Sequence, residues 1–287
     1  MIQTLSNFTE RQKDSLFNAT LALLTKLGIQ VDTDSKDPID VNTLFDGTMP
    51  KFLIDALKDI ENTYFIGIVN DKSLQGIESH DSLQEATGMI KRGDKFDGMF
   101  VFACDAKPGS NLTRTTAAAL TRAFNRIALA NPVIVVIRQD DLVSLSTCER
   151  LQYSRQWQQN DGAKIGKVCI LRNINCRDPH RGHIDILESL GDKRYPTFEE
   201  LYKHWMEVFS SELLTKKFYS ELSDWYAWAV QVARFPNDLN TREDDDKFNH
   251  EACIRLITRL IFVWFLKQKK LIPEEFFDEK YIRENLI

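Results

Sequence analysis

Residues Phe96–Arg138 read FDGMFVFACDAKPGSNLTRTTAAALTRAFNRIALANPVIVVIR, and the rest of the chain is interpreted around them. Met99–Cys104 and Val133–Ile137 are short, nearly unbroken apolar runs. Such runs suit strands covered on both faces, as in a parallel sheet. Parallel neighbours need a crossover, and 114–130 has helical character with Thr113 placed to cap it. The polar turn Asp105–Arg114 then falls at the carboxyl end of the sheet, where open α/β sheets place their ligands.

Toward the N-terminus, Thr9 with Gln12 has capping-box spacing. Leu16, Phe17, Leu23, Leu24 and Leu27 form one apolar face, and Gly28 follows as a stop. This predicts a helix over 10–27. A polar loop over 32–47, a short helix opened by Pro50, and a buried strand Tyr64–Asn70 come next. A helix from about Ser82 to Lys91, entered through Asp81, is expected before the central stretch. Beyond it, Leu142–Cys148 and Lys167–Asn173 read as strands, with Asp140-Asp141 as a tight turn and 149–166 as a loop or exposed hairpin. Thr197 with Glu200 is a second capping box, and only helical patterns follow: Phe198–Phe209, Phe218–Ala233 and His250–Lys270, the last ended by Pro273. The expected architecture is an α/β domain over 1–193, with a mixed, largely parallel sheet and crossover helices, then an all-α domain over 194–287.

A chain of 287 residues with a net charge of -5 buries a large core and has no global basic signal, so any DNA contact needs a local patch. Five cysteines, an odd number without CxxC spacing, fit a reducing cytoplasm with neither a disulfide framework nor a zinc knuckle. The first residues have no basic lead or apolar signal core, and the run Leu260–Leu266 is too short to span a bilayer. The expectation is a soluble cytoplasmic protein.

Asp105-Ala106-Lys107 at a strand end has the form of the second half of a PD-(D/E)XK nuclease site, which makes a restriction-endonuclease-like fold one expectation. In such a site the carboxylate binds Mg²⁺ and the lysine positions or activates water. Residues two apart on a strand share a face, so Asp105 and Lys107 can converge. A second carboxylate is needed. Asp97 is about 26 Å away along an extended strand, whereas Asp71, ending the preceding strand, reaches if that strand is parallel and adjacent. The catalytic set is then Asp105, Lys107 and Asp71, with Asp71 and Asp105 holding the metal. The hairpin that usually carries the first aspartate of such a site is not visible in the sequence. The structural alternative is a polar strand end with Lys107 in solvent.

Arg114, Arg122 and Arg126 recur at helical spacing with Thr121 and Asn125. Guanidinium forks match phosphate oxygens, so Arg114, Arg122, Asn125 and Arg126 form a candidate DNA-contacting stripe; a solvated helix face is the alternative. In Cys176–Leu190 (CRDPHRGHIDILESL), Cys176, Asp178, His180 and His183 superficially resemble a metal cluster, but Pro179 and Gly182 favour a shaped turn with Asp178 capping a helix.

TRTTAAALTRAFNR (113–126), NPVIVVIRQDDLVSLSTCER (131–150), KVCILRNINCRDPHRGHIDILESL (167–190), FYSELSDWYAWA (218–229) and IRLITRLIFVWFLKQKKLIP (254–273) occur in this order. Together they resemble the N-terminal region of adenine-specific DNA methyltransferases of the type II, single-chain (type IIG-like) restriction–modification family, over most of 60–287. In that family the methyltransferase follows this region, with a glycine-rich S-adenosylmethionine loop and an (N/D)PP(Y/F) motif. This chain contains no Pro-Pro pair. The resemblance therefore implies a portion of a longer protein, or a separately encoded piece of one, that serves defence against foreign DNA. S-adenosylmethionine would bind in the downstream methyltransferase domain, and this part would contact double-stranded DNA and scaffold that domain. A Mg²⁺-dependent endonuclease is the alternative, and a cytoplasmic protein-interaction module the second.

Overall fold

The computed structural model describes residues 1–44, 51–75, 95–128, 131–151, 164–237, 245–269 and 271–285. Six strands form one sheet in sequence order: β1 (Val31–Asp32), β2 (Ile60–Val69), β3 (Met99–Ala106), β4 (Val133–Gln139), β5 (Leu142–Leu151) and β6 (Lys164–Asn175). Helices α1 (Ile2–Ser6), α2 (Ser15–Lys26), α3 (Val41–Leu44) and α4 (Lys51–Leu57) belong to the N-terminal part, and α5 (Arg114–Ile127) crosses from β3 to β4. After β6 come α6 (Arg181–Ser189), α7 (Phe198–Val208), α8 (Ser211–Val232), α9 (Asp245–Gln268) and α10 (Glu279–Asn285).

The sheet is mixed rather than largely parallel. Only β3 and β4 run parallel, from Phe100↔Val133 to Asp105↔Arg138. The other neighbouring pairs are antiparallel. The apolar runs are unbroken because helices cover both faces of the sheet, whatever the strand direction. On one face Met99, Val101, Ala103, Ile134 and Val136 pack with α2, α6 and α7 residues such as Phe17, Leu187 and Trp205. On the other, Phe102, Cys104, Val135 and Ile137 pack with Leu53 of α4 and with Leu120 and Phe124 of α5.

Local chemistry fixes the ends of these elements. Thr113 caps α5, its hydroxyl accepting from Thr116 N at 3.2 Å. Leu27 closes α2, and Gly28 follows at φ 75, the left-handed position that glycine occupies without strain. Gly67 sits at a bulge in β2 where an added Cβ would lie 2.1 Å from Asp32 O, so no larger residue fits beside β1. Asp140, at φ 48, makes the two-residue turn between β4 and β5.

Two boundaries differ from expectation at the N-terminal end. The helix expected from residue 10 begins at Ser15, because Asp14 turns left-handed at φ 61 and the segment before it folds back onto the sheet. β2 begins at Ile60 rather than Tyr64. The helix expected near 82–91 lies outside the described residues.

The chain divides into two compact units, Met1–Leu214 and Thr215–Ile287. The expected boundary at 193/194 thus moves later. α7 carries Phe198, Leu201, Tyr202 and Trp205, all buried in the core under the sheet, so it completes the α/β unit. The regular elements described in the second unit are helices. Its α8 and α9 pair antiparallel around Asn249, whose side-chain amide donates to Ala233 O at 2.9 Å and whose carbonyl accepts from Phe235 N at 3.0 Å. A groove of about 410 Å³ opens between them, lined by residues including Tyr219, Leu222, Ile254 and Ile261. Among the described residues no helix is long and apolar enough to cross a membrane.

If α7 belongs to the first core, Trp205→Ala should cost about 3–5 kcal/mol, the range for emptying a fully buried large aromatic site. Urea unfolding of the full chain measures this; a loss under 1 kcal/mol would return α7 to the second unit.

Candidate functional site

The charged residues of the central stretch do gather at the carboxyl end of β3 and β4, but as an ion-pair network. The parallel register sets Asp105 beside Arg138 on the α2 face. Arg138, 2 % exposed, donates Nε to Asp105 Oδ1 at 2.9 Å and Nη2 to Oδ2 at 2.5 Å, a bidentate fork. Its Nη1 reaches the segment before α2, donating to Glu10 O at 2.6 Å, Ser15 Oγ at 3.0 Å and Phe8 O at 3.4 Å. Arg11, on the same segment, donates to Asp105 Oδ1 at 3.0 Å and to Asp140 O at 2.8 Å. Tyr64, whose phenol is pushed up by burial and then by Asp105, borders the network. Both carboxylate oxygens of Asp105 are therefore committed to guanidinium groups.

Lys107 does not join Asp105. Its ammonium donates to Lys58 O at 2.6 Å and its backbone N–H to Asp59 O at 2.8 Å, tying the end of β3 to the turn before β2. Asp71 is at the wrong end of the sheet. β2 runs antiparallel to β3, pairing Val69 with Met99 and Asn62 with Asp105, so Asp71 and Asp105 are about 20 Å apart along the strand direction. The position across from Asp105 belongs to Asn62, an amide and not a carboxylate. These residues do not fit a Mg²⁺ site. Among the described residues no group of three or more His, Cys, Asp or Glu side chains is arranged to hold a metal ion.

The arginine stripe divides by burial. Arg114, Arg122 and Arg126 are exposed on the outer side of α5. Asn125 is 2 % exposed beneath the helix, donating to Thr121 O at 2.8 Å and Val133 O at 3.4 Å, so it is a packing residue and not a DNA contact. Thr121 bonds Ser146 of β5 at 2.7 Å, and Arg150 donates to Asn125 O at 3.1 Å and to Ala128 O at the C-terminus of α5. These bonds fix the helix on the sheet. Burial pushes the Cys148 thiol of β5 up to about 12, against the opposing charges of Arg122, Arg150 and Arg126.

The Cys176–Leu190 turn holds a helix cap. His180, and not Asp178, is the N-cap of α6: its Nδ1 accepts from Gly182 N at 3.1 Å. Asp178 N donates to Asn175 Oδ1 at 3.1 Å. Cys176 is buried, with its thiol pushed up to about 12 by burial. All five cysteines are buried, and none is in a disulfide.

Sequence reasoning missed Arg138 and Arg11 as partners of Asp105. A signal existed for Arg138: two apolar runs joined by one crossover both end in a charge, Asp105 and Arg138, of opposite sign. No family model matches the chain, and neither a curated protein nor a solved structure matches it.

Removing one partner of a buried ion pair leaves the other charge uncompensated. Arg138→Leu should cost about 3–5 kcal/mol in urea unfolding, and the double variant Asp105→Leu with Arg138→Leu distinctly less than the two single losses together. Additive losses would show that the pair is uncoupled. At α6, burial and then His180 push the His183 imidazolium below its ordinary 6.5. The folded state prefers neutral His183, so its contribution is intact above about 6.5 and is lost as pH falls through the lower folded value. The drop in urea midpoint between pH 7.5 and 5 should shrink in His183→Gln; an unchanged drop rules His183 out as its source.

Proposed function

We propose that this chain is a DNA-contacting and scaffolding module of a type IIG-like restriction–modification adenine methyltransferase, with no methyltransferase chemistry of its own. The observation that carries the proposal is the outward position of Arg114, Arg122 and Arg126 on α5, a helix fixed to the sheet through Thr121, Asn125 and Arg150. Side chains on a rigid element can meet backbone phosphates without local folding, and phosphate contacts position a protein without reading sequence. The second unit supplies the scaffolding surface: the groove lined by Tyr219, Leu222, Ile254 and Ile261 is an apolar seat for the methyltransferase part. The ordered strings of the sequence that resemble that family support the same assignment.

One observation favours the alternative, a Mg²⁺-dependent endonuclease. The antiparallel β2–β3 pair and the parallel β3–β4 pair are consistent with a restriction-endonuclease-like core. Against it stand the two guanidinium groups on Asp105 and the amide of Asn62 across from it. The reading adopted is a nuclease-like scaffold that binds and does not cleave.

Duplex DNA should bind with an affinity that falls linearly in log salt. The double variant Arg122→Gln with Arg126→Gln should lower that slope by about 2, close to 0.9 for each lost phosphate contact. Fluorescence anisotropy between 50 and 200 mM salt measures the slope, and an unchanged slope or absent binding defeats the proposal. Supercoiled plasmid should stay intact with Mg²⁺; nicking that disappears in both Asp105→Ala and Lys107→Ala would establish the endonuclease instead.

A further inference from the structure

The groove between α8 and α9 has both a shape and a charge. Tyr219, Leu222 and Tyr226 line it from α8, and Ile254, Ile257 and Ile261 from α9. Each line has the spacing i, i+3, i+7, so each helix gives two turns of one face to the same trough. At one end the two helices are bridged by the Tyr226 hydroxyl, 2.6 Å from His250 Nδ1. At the other end Phe265, four after Ile261 and 49 % exposed, carries the apolar line of α9 onward. Lys269 Nζ lies 5.6 Å from the centre of the Phe265 ring. Because the helices run antiparallel, Lys216, exposed and three before Tyr219, flanks that same end from α8. Two ammonium groups therefore stand where α8 begins and α9 ends. Phe218 and Trp225, four before and three after Leu222, widen the apolar face of α8, whereas Glu221 and Asp224 are on its opposite side. Glu251 of α9 is paired with Arg255 at 3.1 Å.

We propose that the groove takes one amphipathic helix of the partner, whose apolar stripe fills the trough and whose carboxylates, at one end of that stripe, meet Lys216 and Lys269. The inference rests on the scaffolding reading of the second unit and adds the chemistry of the helix it receives. A trough between two antiparallel helices is the natural seat of a third, which anchors itself by side chains at i, i+3 or i+4, and i+7. A concave volume of about 410 Å³ accepts the ridge of a helix and not a flat lipid surface. Tyr219, 63 % exposed, and Phe265 lose their contact with water under such an occupant. The charges set the direction in which it lies. An acidic end is drawn to the two ammonium groups and a basic end is repelled, so the apolar lining supplies affinity and the lysines supply choice.

The probe is a pair of fluorescein-labelled peptides of about 18 residues, long enough to hold a helix once seated. They share one leucine stripe and differ in carrying either glutamates or lysines at its end. Fluorescence anisotropy with the full chain at low salt should show the glutamate peptide bound about tenfold more tightly, the effect of two partly exposed ion pairs. Lys216→Glu combined with Lys269→Glu should reverse the order, and Ile261→Asp should abolish binding of the glutamate peptide. Lys216 and Lys269 are exposed and Ile261 is 38 % exposed, and an unchanged urea midpoint verifies that each variant is folded. Equal affinity for both peptides, binding of neither, or an order that survives the double reversal overturns the proposal. Sedimentation of the chain with phosphatidylserine vesicles, with neither peptide bound, overturns it in favour of a lipid surface. DNA binding without the peptide order defeats this inference alone. The peptide order without DNA binding defeats the methyltransferase-family reading and upholds the preference of the groove.

Discussion

A guanidinium group buried to 2 % exposure needs compensation from every side, and Arg138 obtains it from two parts of the chain that are far apart in sequence. Its fork closes on Asp105 of the neighbouring strand, and its remaining amino group collects the carbonyls of Phe8 and Glu10 and the hydroxyl of Ser15. An arginine left without these acceptors at that depth would be strongly unfavourable. The requirement explains three features together. Asp14 turns left-handed just before α2; α2 starts late; and Asp105, which resembles a catalytic carboxylate in sequence, has both of its oxygens engaged by guanidinium groups.

The sequence made the strands legible where hydrophobicity dominates. Met99–Cys104, Val133–Ile137 and the Thr113 cap appear within a few residues of where they were expected, because burial on two faces and a hydroxyl before a helix leave direct compositional traces. Direction leaves none. An apolar run reads the same whether its neighbour is parallel or antiparallel, so the expected parallel bias failed, and the pairing of Asp71 with Asp105 failed with it. Burial of single polar residues was equally hidden: Asn125 shares its helix with three exposed arginines, and only the position of the sheet decides which of the four points inward. The boundary moved for a related reason. A capping box at Thr197 marks where α7 begins, but not which core it joins.

The two units distribute their surfaces differently. In the first, large apolar side chains are mostly inside and the outer side of α5 is cationic. In the second, Trp225, Trp228, Phe262 and Trp264 are all at least 40 % exposed. Helices apolar on more than one side are stable as inner layers and not as outer ones. The proposed function assigns the DNA-facing role to the first unit and the scaffolding role to the second.

The bond from Arg138 to the Glu10 carbonyl spans 128 residues of chain. On a translating ribosome adding roughly 5–20 residues per second, the opening segment therefore waits on the order of ten seconds for the strand that secures it. During that interval Leu5 and Phe8, destined for complete burial, are open to chaperones and to other nascent chains. Vectorial synthesis thus orders the assembly of this domain: its first residues are among the last to find their place.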